Sequence, residues 1–294
     1  MRSRLRSRSR TSVVGVLLVA VAWTGPALGQ ELDGTLKKIK TSGTFAIGYR
    51  ESSPPFSFVG QDKRPVGYSI DLCLHVAGAI QRQLGLADLK LGWVPVTPET
   101  RISAVVRGTV DIECGSTTAS LSRQEQVDFS LMTFVDGGSL MTTAAGTLRG
   151  LGELGNQRIG VVRGTTTEKA LTAFLAKEGV KVQMVNVKDH AEGLAALQAR
   201  RIDAYASDRG ILLGLALTTG DPRRFAVANV LFSYEPYALM LRRNDAAFRL
   251  AVNRALAELY RSGKVSALYD RWFGTFGKPN PALQSMYLLN GLPE

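Results

Sequence analysis

Short apolar runs of strand length alternate along the chain with stretches whose apolar positions recur every three or four residues. That alternation predicts an α/β architecture, in which each strand hands the chain to a helix that covers the sheet. Thr44–Tyr49 is the first predicted strand, and it runs into Arg50-Glu51-Ser52-Ser53-Pro54-Pro55-Phe56, a loop by its proline and serine content. A helix is predicted over Ser69–Leu84, a strand over Leu89–Pro95, a short helix over Arg101–Arg107 and a strand over Val110–Gly115. A second set begins with strand Leu140–Ala144, a helical turn over Leu148–Leu154 and strand Arg158–Val162. It continues through a helix from Gly164-Thr165-Thr166-Thr167 to about Glu178, strand Lys181–Val187, helix Ala191–Ala199, strand Ala204–Ser207 and helix Gly210–Thr218. Strand Ala238–Arg243 and the helices Ala246–Ser262 and Val265–Phe273 complete the pattern.

Two segments read as crossovers between lobes: Thr133–Gly138, with its paired glycines, and Tyr234–Tyr237. On that reading residues 30–134 open lobe 1, residues 135–235 form lobe 2, and residues 236–294 return to lobe 1. A chain of this length is where one hydrophobic core tends to divide into two. A cleft between two α/β lobes, near the carboxyl ends of their strands, is where a small ligand is expected.

The N-terminus stands apart from this pattern. Arg2, Arg4, Arg6, Arg8 and Arg10 precede an apolar stretch from Ser12 to Trp23, and Ala27-Leu28-Gly29 supplies small residues at cleavage-site spacing. Residues 1–29 are therefore expected to be a secretory signal peptide, its apolar stretch short for a bilayer span, and no cysteine follows it to carry a lipid. The whole chain carries a net charge of +11, but five of its 36 Lys+Arg lie in that leader, leaving 31 basic against 25 acidic residues. This modest surplus has no basic run and no aromatic stripe, which speaks against nucleic-acid binding and suits an anionic small ligand. Cys73 and Cys114 are the two cysteines, too few for a disulfide framework or a cysteine metal cage. Export permits one bond between them, both also fit as small apolar core residues, and the sequence leaves that choice open. With only His75 and His190, no histidine metal site is expected, nor is a cofactor.

Candidate chemistry lies at the ends of predicted strands. Arg50 follows the first strand, and Ser116-Thr117-Thr118 follows Cys114-Gly115, with Arg123 five residues beyond Thr118. Hydroxyls beside a planar two-pronged guanidinium suit a carboxylate. Thr166 sits at a predicted helix N-terminus, where free N–H groups favour an anion, although Thr165 and Glu168 also make an ordinary cap. Asp208 follows a strand and could take an ammonium or simply cap the next helix. Arg101 opens a helix, where its charge opposes the dipole and so answers to something else, or is solvated. His190 lies between strand and helix in Lys188-Asp189-His190, a place equally suited to a surface residue. No nucleophile elbow, P-loop or metalloprotease motif is present.

These residues resemble the periplasmic solute-binding proteins of polar amino-acid ABC importers (family 3), and within them the glutamate/aspartate-binding subgroup. The resemblance rests on Gly48-Tyr49-Arg50-Glu51-Ser52-Ser53, Val66-Gly67-Tyr68-Ser69-Ile70-Asp71, Cys114-Gly115-Ser116-Thr117-Thr118, Gly164-Thr165-Thr166-Thr167-Glu168, Lys188-Asp189-His190 and Tyr269-Asp270-Arg271-Trp272-Phe273. It spans roughly Leu36 to Phe273. It implies a type II two-lobed binding protein, each lobe a sheet flanked by helices, that closes on L-glutamate or L-aspartate. A monomer serving membrane permease subunits from the periplasm is implied as well. Arg123, Thr118 and the Thr166 N–H would then hold the α-carboxylate, and Asp208 with the Ser116 region the ammonium. Arg50, Arg101 and His190 would form a three-cation cluster around the side-chain carboxylate. Pro98 departs from the serine of close relatives, so that pocket is expected to be partly rebuilt. The alternatives are an exported enzyme on the same scaffold, of the cyclohexadienyl dehydratase kind with Glu51 or Glu235 as acid, and a chemosensory amino-acid-binding module.

Overall fold

The computed structural model describes residues 32–144 and 154–294; the expected leader over 1–29 and nearly all of the turn expected at 148–154 fall outside them. In the first half α1 (Gly34–Ser42) leads into β1 (Thr44–Tyr49), then the short strands β2 (Ser52–Ser53), β3 (Ser57–Val59) and β4 (Pro65–Val66), and then α2 (Tyr68–Gln83). Next come β5 (Lys90–Pro95), α3 (Arg101–Val106), β6 (Ile112–Glu113), α4 (Leu121–Gln124) and the ten-residue β7 (Val127–Asp136). The middle block runs β8 (Gly138–Thr143), β9 (Arg158–Val162), α5 (Thr166–Glu178), β10 (Gln183–Val187), α6 (His190–Gln198), β11 (Ala204–Asp208), α7 (Arg209–Thr218) and β12 (Phe225–Val227). The chain returns through β13 (Glu235–Arg242) and ends in α8 (Ala246–Arg261), α9 (Val265–Phe273) and α10 (Pro281–Asn290).

These strands build two five-stranded mixed sheets. The first has the order β5-β1-β6-β13-β7 and the second β10-β9-β11-β8-β12, while β2, β3 and β4 form a small separate sheet. In each large sheet three neighbouring strands pair in parallel, fed by helical crossovers, and the fourth strand in the order, β13 or β8, runs opposite to the other four. The antiparallel pair β7 and β13 carries the chain between the sheets, ending with Glu235 opposite Asp136. Gly137 separates β7 from β8, so the first crossover is a single residue of non-strand chain.

Each sheet has its own apolar packing. Val96, Ala104, Val105, Val110, Val127 and Met240 pack on the first, and Leu140, Ile159, Val161, Leu171, Ala204 and Ala206 are among those packed on the second. An aromatic cluster lies under the crossovers: Phe134 of β7 sits 4.9 Å from Phe56 and 4.8 Å from Phe273, and Tyr237 of β13 sits 5.0 Å from Phe56 by ring centroids. Cys73 of α2 is bonded to Cys114, with Cα atoms 6.4 Å apart, which settles the choice left open above. Ser69, one turn earlier on α2, donates to the Gly115 carbonyl at 2.8 Å, so the helix holds the loop that follows β6 at two points.

Three expectations need correcting. The segment after Arg50 is not plain loop but the small β2–β4 sheet. β7 extends through what was read as a crossover from Thr133, because its half-buried residues lack a clean two-residue alternation. α10 was not anticipated; it buries Leu283 and Met286 and leaves Leu288 and Leu289 exposed, so its amphipathic signal is weak.

Candidate functional site

The two sheets meet along a cleft where polar side chains are buried. Across it Gly214 of α7 lies so close to the β2 turn that a Cβ there would come within 2.4 Å of the Pro54 carbonyl oxygen. From the first sheet come Arg50, just past β1, the Ser116–Thr118 loop beyond β6, Arg101 at the start of α3 and Arg123 in α4. From the second come Thr166 at the first turn of α5, His190 at the start of α6 and Asp208 at the end of β11. All eight of these expected site residues except Thr166 are buried.

One end of the cleft is rich in hydrogen-bond donors. Arg123 donates from Nη1 to the Thr118 carbonyl at 2.8 Å, which anchors the guanidinium without using its remaining N–H groups. The hydroxyls of Thr118 and Thr166 lie 3.2 Å apart, one from each sheet. Both also donate to Glu235 Oε2, and Ser233 donates to Oε1 at 2.7 Å, so the Glu235 carboxylate ties the second crossover to both sheets. Thr165 caps α5 by accepting from the Glu168 N–H at 3.1 Å, which leaves Thr166 in the first turn with an amide that has no carbonyl four residues back in the helix. A cavity of about 910 Å³ opens at this end, lined by Thr118, Arg123, Gly164, Thr166 and Glu235 among others.

Asp208 lies where its charge reaches both Arg101 and Arg123. Its carboxylate accepts from Tyr237 Oη and, at 2.8 Å, from Thr167 Oγ1. Burial, and then the charges of Glu235 and Asp136, push it up to about 7 despite those two donors. Asp136 lies close by and accepts from the N–H groups of Gly137 at 2.8 Å and Gly210 at 2.9 Å; burial raises it to about 6. A buried carboxylate pushed up in this way favours a cationic partner. Ser116 is buried in the loop after β6.

Arg50, Arg101 and His190 form a second group, with Arg101 close enough to Arg123 that burial and then this like charge lower the Arg123 pKa. Arg101 is 3% exposed and donates from Nη1 to Thr117 Oγ1 at 2.7 Å, while its Nε is buried without a hydrogen-bond partner among the described residues. Thr117 passes the contact on by donating to Glu113 Oε2 at 2.7 Å. Arg50, equally buried, uses its backbone to bond Ser57 Oγ, and its guanidinium makes no hydrogen bond among the described residues. Burial, then the like charge of Arg101, lowers the Arg50 pKa to about 10, still well above neutrality. His190 corrects an expectation. Burial, then Arg50 and Arg101, drive its pKa down to about 3, so it is a neutral ring rather than a third cation. Its Nδ1 lies 2.7 Å from Tyr205 Oη, which fixes the ring at the N-terminus of α6, where Asp189 is the cap. Pro98 is buried in the turn before α3, a turn closed by the Thr97 and Thr100 hydroxyls and backbone.

Glu113, Tyr205 and Tyr237 carry no signal of a site in the sequence, whereas Thr117 belongs to the Ser116-Thr117-Thr118 stretch offered there for its hydroxyls. Glu113 and Tyr205 look like ordinary positions of apolar strands, and only the register of β6 and β11 turns them toward the cleft region.

Residues 45–275 of the chain match the bacterial extracellular solute-binding proteins, family 3. The chain is 38% identical to the L-glutamate/L-aspartate-binding protein of Pseudomonas aeruginosa over 90% of its own length and 88% of that protein's. It is 32% identical to the glutamate/aspartate import solute-binding protein of Escherichia coli, covering 84% of this chain and 81% of that one. Among solved structures it resembles an ancestral amino acid-binding protein described as a precursor of cyclohexadienyl dehydratase, with a TM-score of 0.71 and 27% identity over 82% of this chain and all of that one.

Proposed function

We propose, for a chain that belongs to the bacterial extracellular solute-binding proteins of family 3, that it captures L-glutamate or L-aspartate outside the cytoplasm for an ABC importer. The observation that carries this reading is a set of three buried guanidiniums in one cleft, with Arg101 held on Thr117, Arg123 held on the neighbouring Thr118, and Arg50 beside Arg101. An acidic amino acid has a carboxylate at each end and an ammonium between, and this cleft offers two sets of buried donors with Asp208 close enough for its charge to reach both Arg101 and Arg123. The α-carboxylate lies on Arg123, Thr118 and the Thr166 N–H, and the ammonium on Asp208 near Ser116. The side-chain carboxylate lies on Arg50 and Arg101, with neutral His190 donating or accepting through its ring. An amide in that last position would leave buried cations without a counter-charge, which is the basis for rejecting glutamine and asparagine.

The crossovers at Asp136–Gly138 and at Glu235 act as hinges between a lobe of residues 30–134 with 236–294 and a lobe of residues 135–235. The leader over residues 1–29 directs export, and membrane permease subunits receive the ligand from a monomer. The protein acts as a binder rather than a catalyst. Glu51 is exposed, and Glu235 accepts from three hydroxyls, so neither carboxyl is placed as a free general acid.

Calorimetric titration of refolded protein with L-glutamate, L-aspartate, L-glutamine and L-asparagine tests the reading. Tight binding of the acids with a weak response to the amides is expected. Preference for an amide, or no binding of any of the four, overturns it.

A further inference from the structure

The donor end at Arg50 and Arg101 contains one charge that the ligand assignments above do not use. Glu113 ends β6, where it pairs with Gly48 of β1 and Met240 of β13, and it is 0% exposed. Its Oε2 accepts from Thr117, whose hydroxyl in turn accepts from Arg101 Nη1, so the carboxylate and the guanidinium are joined through a single oxygen. Its Oε1 is buried without a hydrogen-bond partner among the described residues, as is Arg101 Nε. Gly115 makes room for it: a Cβ there would lie 2.2 Å from Oε1 and 3.0 Å from Arg50 Cγ. The negative charge of Glu113 is felt by Arg50, Arg101 and Arg123 alike.

We propose that Glu113 is a specificity-setting residue, a built-in counter-charge that competes with the ligand's side-chain carboxylate for Arg101 and Arg50. The inference rests on the acidic-amino-acid reading of the same site. Two buried guanidiniums with neutral His190 beside them present two positive charges, and Glu113 is the foremost acid offsetting both, ahead of Asp189 on Arg50 and of Asp208 and Glu235 on Arg101. The same carboxylate keeps the two arginines tolerable in an empty cleft and limits how tightly an acid is held. Thr117 serves as the relay, fixing the Arg101 head through a hydroxyl that both accepts and donates.

The charge argument gives an outcome opposite to that of a merely structural role. In Glu113→Gln the ligand carboxylate no longer faces a buried like charge a few ångströms behind its partner. The ratio of glutamate to glutamine affinity should then rise by about tenfold or more. The ligand-free protein should melt lower, and the glutamate-induced rise in melting temperature should grow. Arg50→Met should shrink the affinity ratio by removing one cation while Glu113 stays, and the double variant Arg50→Met/Glu113→Gln should recover it. The double variant also buries fewer charges than either single one, so it keeps the test open if Glu113→Gln folds poorly. Titrating wild type and the three variants with both ligands reads all of this. A ratio that falls in Glu113→Gln, or a double variant no better than Arg50→Met, overturns the role of Glu113 while leaving the ligand assignment standing. A wild type that prefers glutamine overturns the ligand assignment itself.

Discussion

Asp208 is expected to trade stability for binding, and Asp208→Asn exposes the trade. Its carboxyl titrates near 3.8 in a free side chain and is raised to about 7 here, first by burial and then by Glu235 and Asp136. Because the folded value lies above the unfolded one, the native protein keeps a proton between about pH 4 and pH 7 that the unfolded chain releases. Stability therefore falls as pH rises through that window and levels off above it. A gap of about three units at 1.36 kcal/mol each makes this penalty roughly 4 kcal/mol by pH 8. Asparagine removes the penalty but receives the Tyr237 and Thr167 hydroxyls less well, a loss of about 1 kcal/mol. Ligand-free Asp208→Asn should thus be about 3 kcal/mol more stable than wild type at pH 8, which is a melting-temperature rise of roughly 6–12 °C. At pH 4 the variant should show no gain. Glutamate affinity should drop by 30-fold or more, since the ammonium loses a buried partner. Thermal melts at the two pH values, with titration at pH 7.5, read both effects. A variant less stable than wild type at pH 8 would refute the reasoning.

Three further outcomes follow from the same geometry. Arg101→Met should weaken glutamate binding by 2–5 kcal/mol while changing glutamine binding far less, measured by parallel titrations; equal losses for both ligands would mean that Arg101 only supports the fold. Since the chain has just two histidines, ring NMR signals can be assigned by one substitution at His75. The His190 signal should stay that of a neutral ring down to about pH 4 in the ligand-free protein, and a midpoint near pH 6.5 would contradict its burial between two guanidiniums. Reducing the Cys73–Cys114 bond, which spans 41 residues, should cost up to about 4 kcal/mol in urea unfolding by loop-closure entropy. It should also weaken ligand binding, because the bond and Ser69 together hold the Gly115–Thr118 loop; unchanged affinity after reduction would show that Ser69 suffices.

What the sequence made legible follows the range of the forces involved. Strand–helix alternation is local, so β1, β9, α5 and α9 were expected within a residue or two of where they lie. Arg101 was suspect because a cation at a helix start opposes the dipole, and it does turn inward to Thr117. The charge state of His190 was not legible, since it depends on two arginines brought beside it from β1 and α3. Glu113 was hidden for the same reason. Nothing in Val110–Gly115 distinguishes its carboxylate from a solvated one until β6 is seen between β1 and β13, with both neighbours burying it. The long β7 was missed because crossover strands are half-buried on both faces and so carry neither helical nor strand periodicity.

A crystal structure of the refolded protein with L-glutamate would test the central claim most directly. The account places the α-carboxylate within hydrogen-bond distance of Arg123, Thr118 and the Thr166 N–H, the ammonium on Asp208, and the side-chain carboxylate on Arg50 and Arg101. A ligand bound in the reverse sense, or outside this cleft with Arg50 and Arg101 untouched, would contradict it.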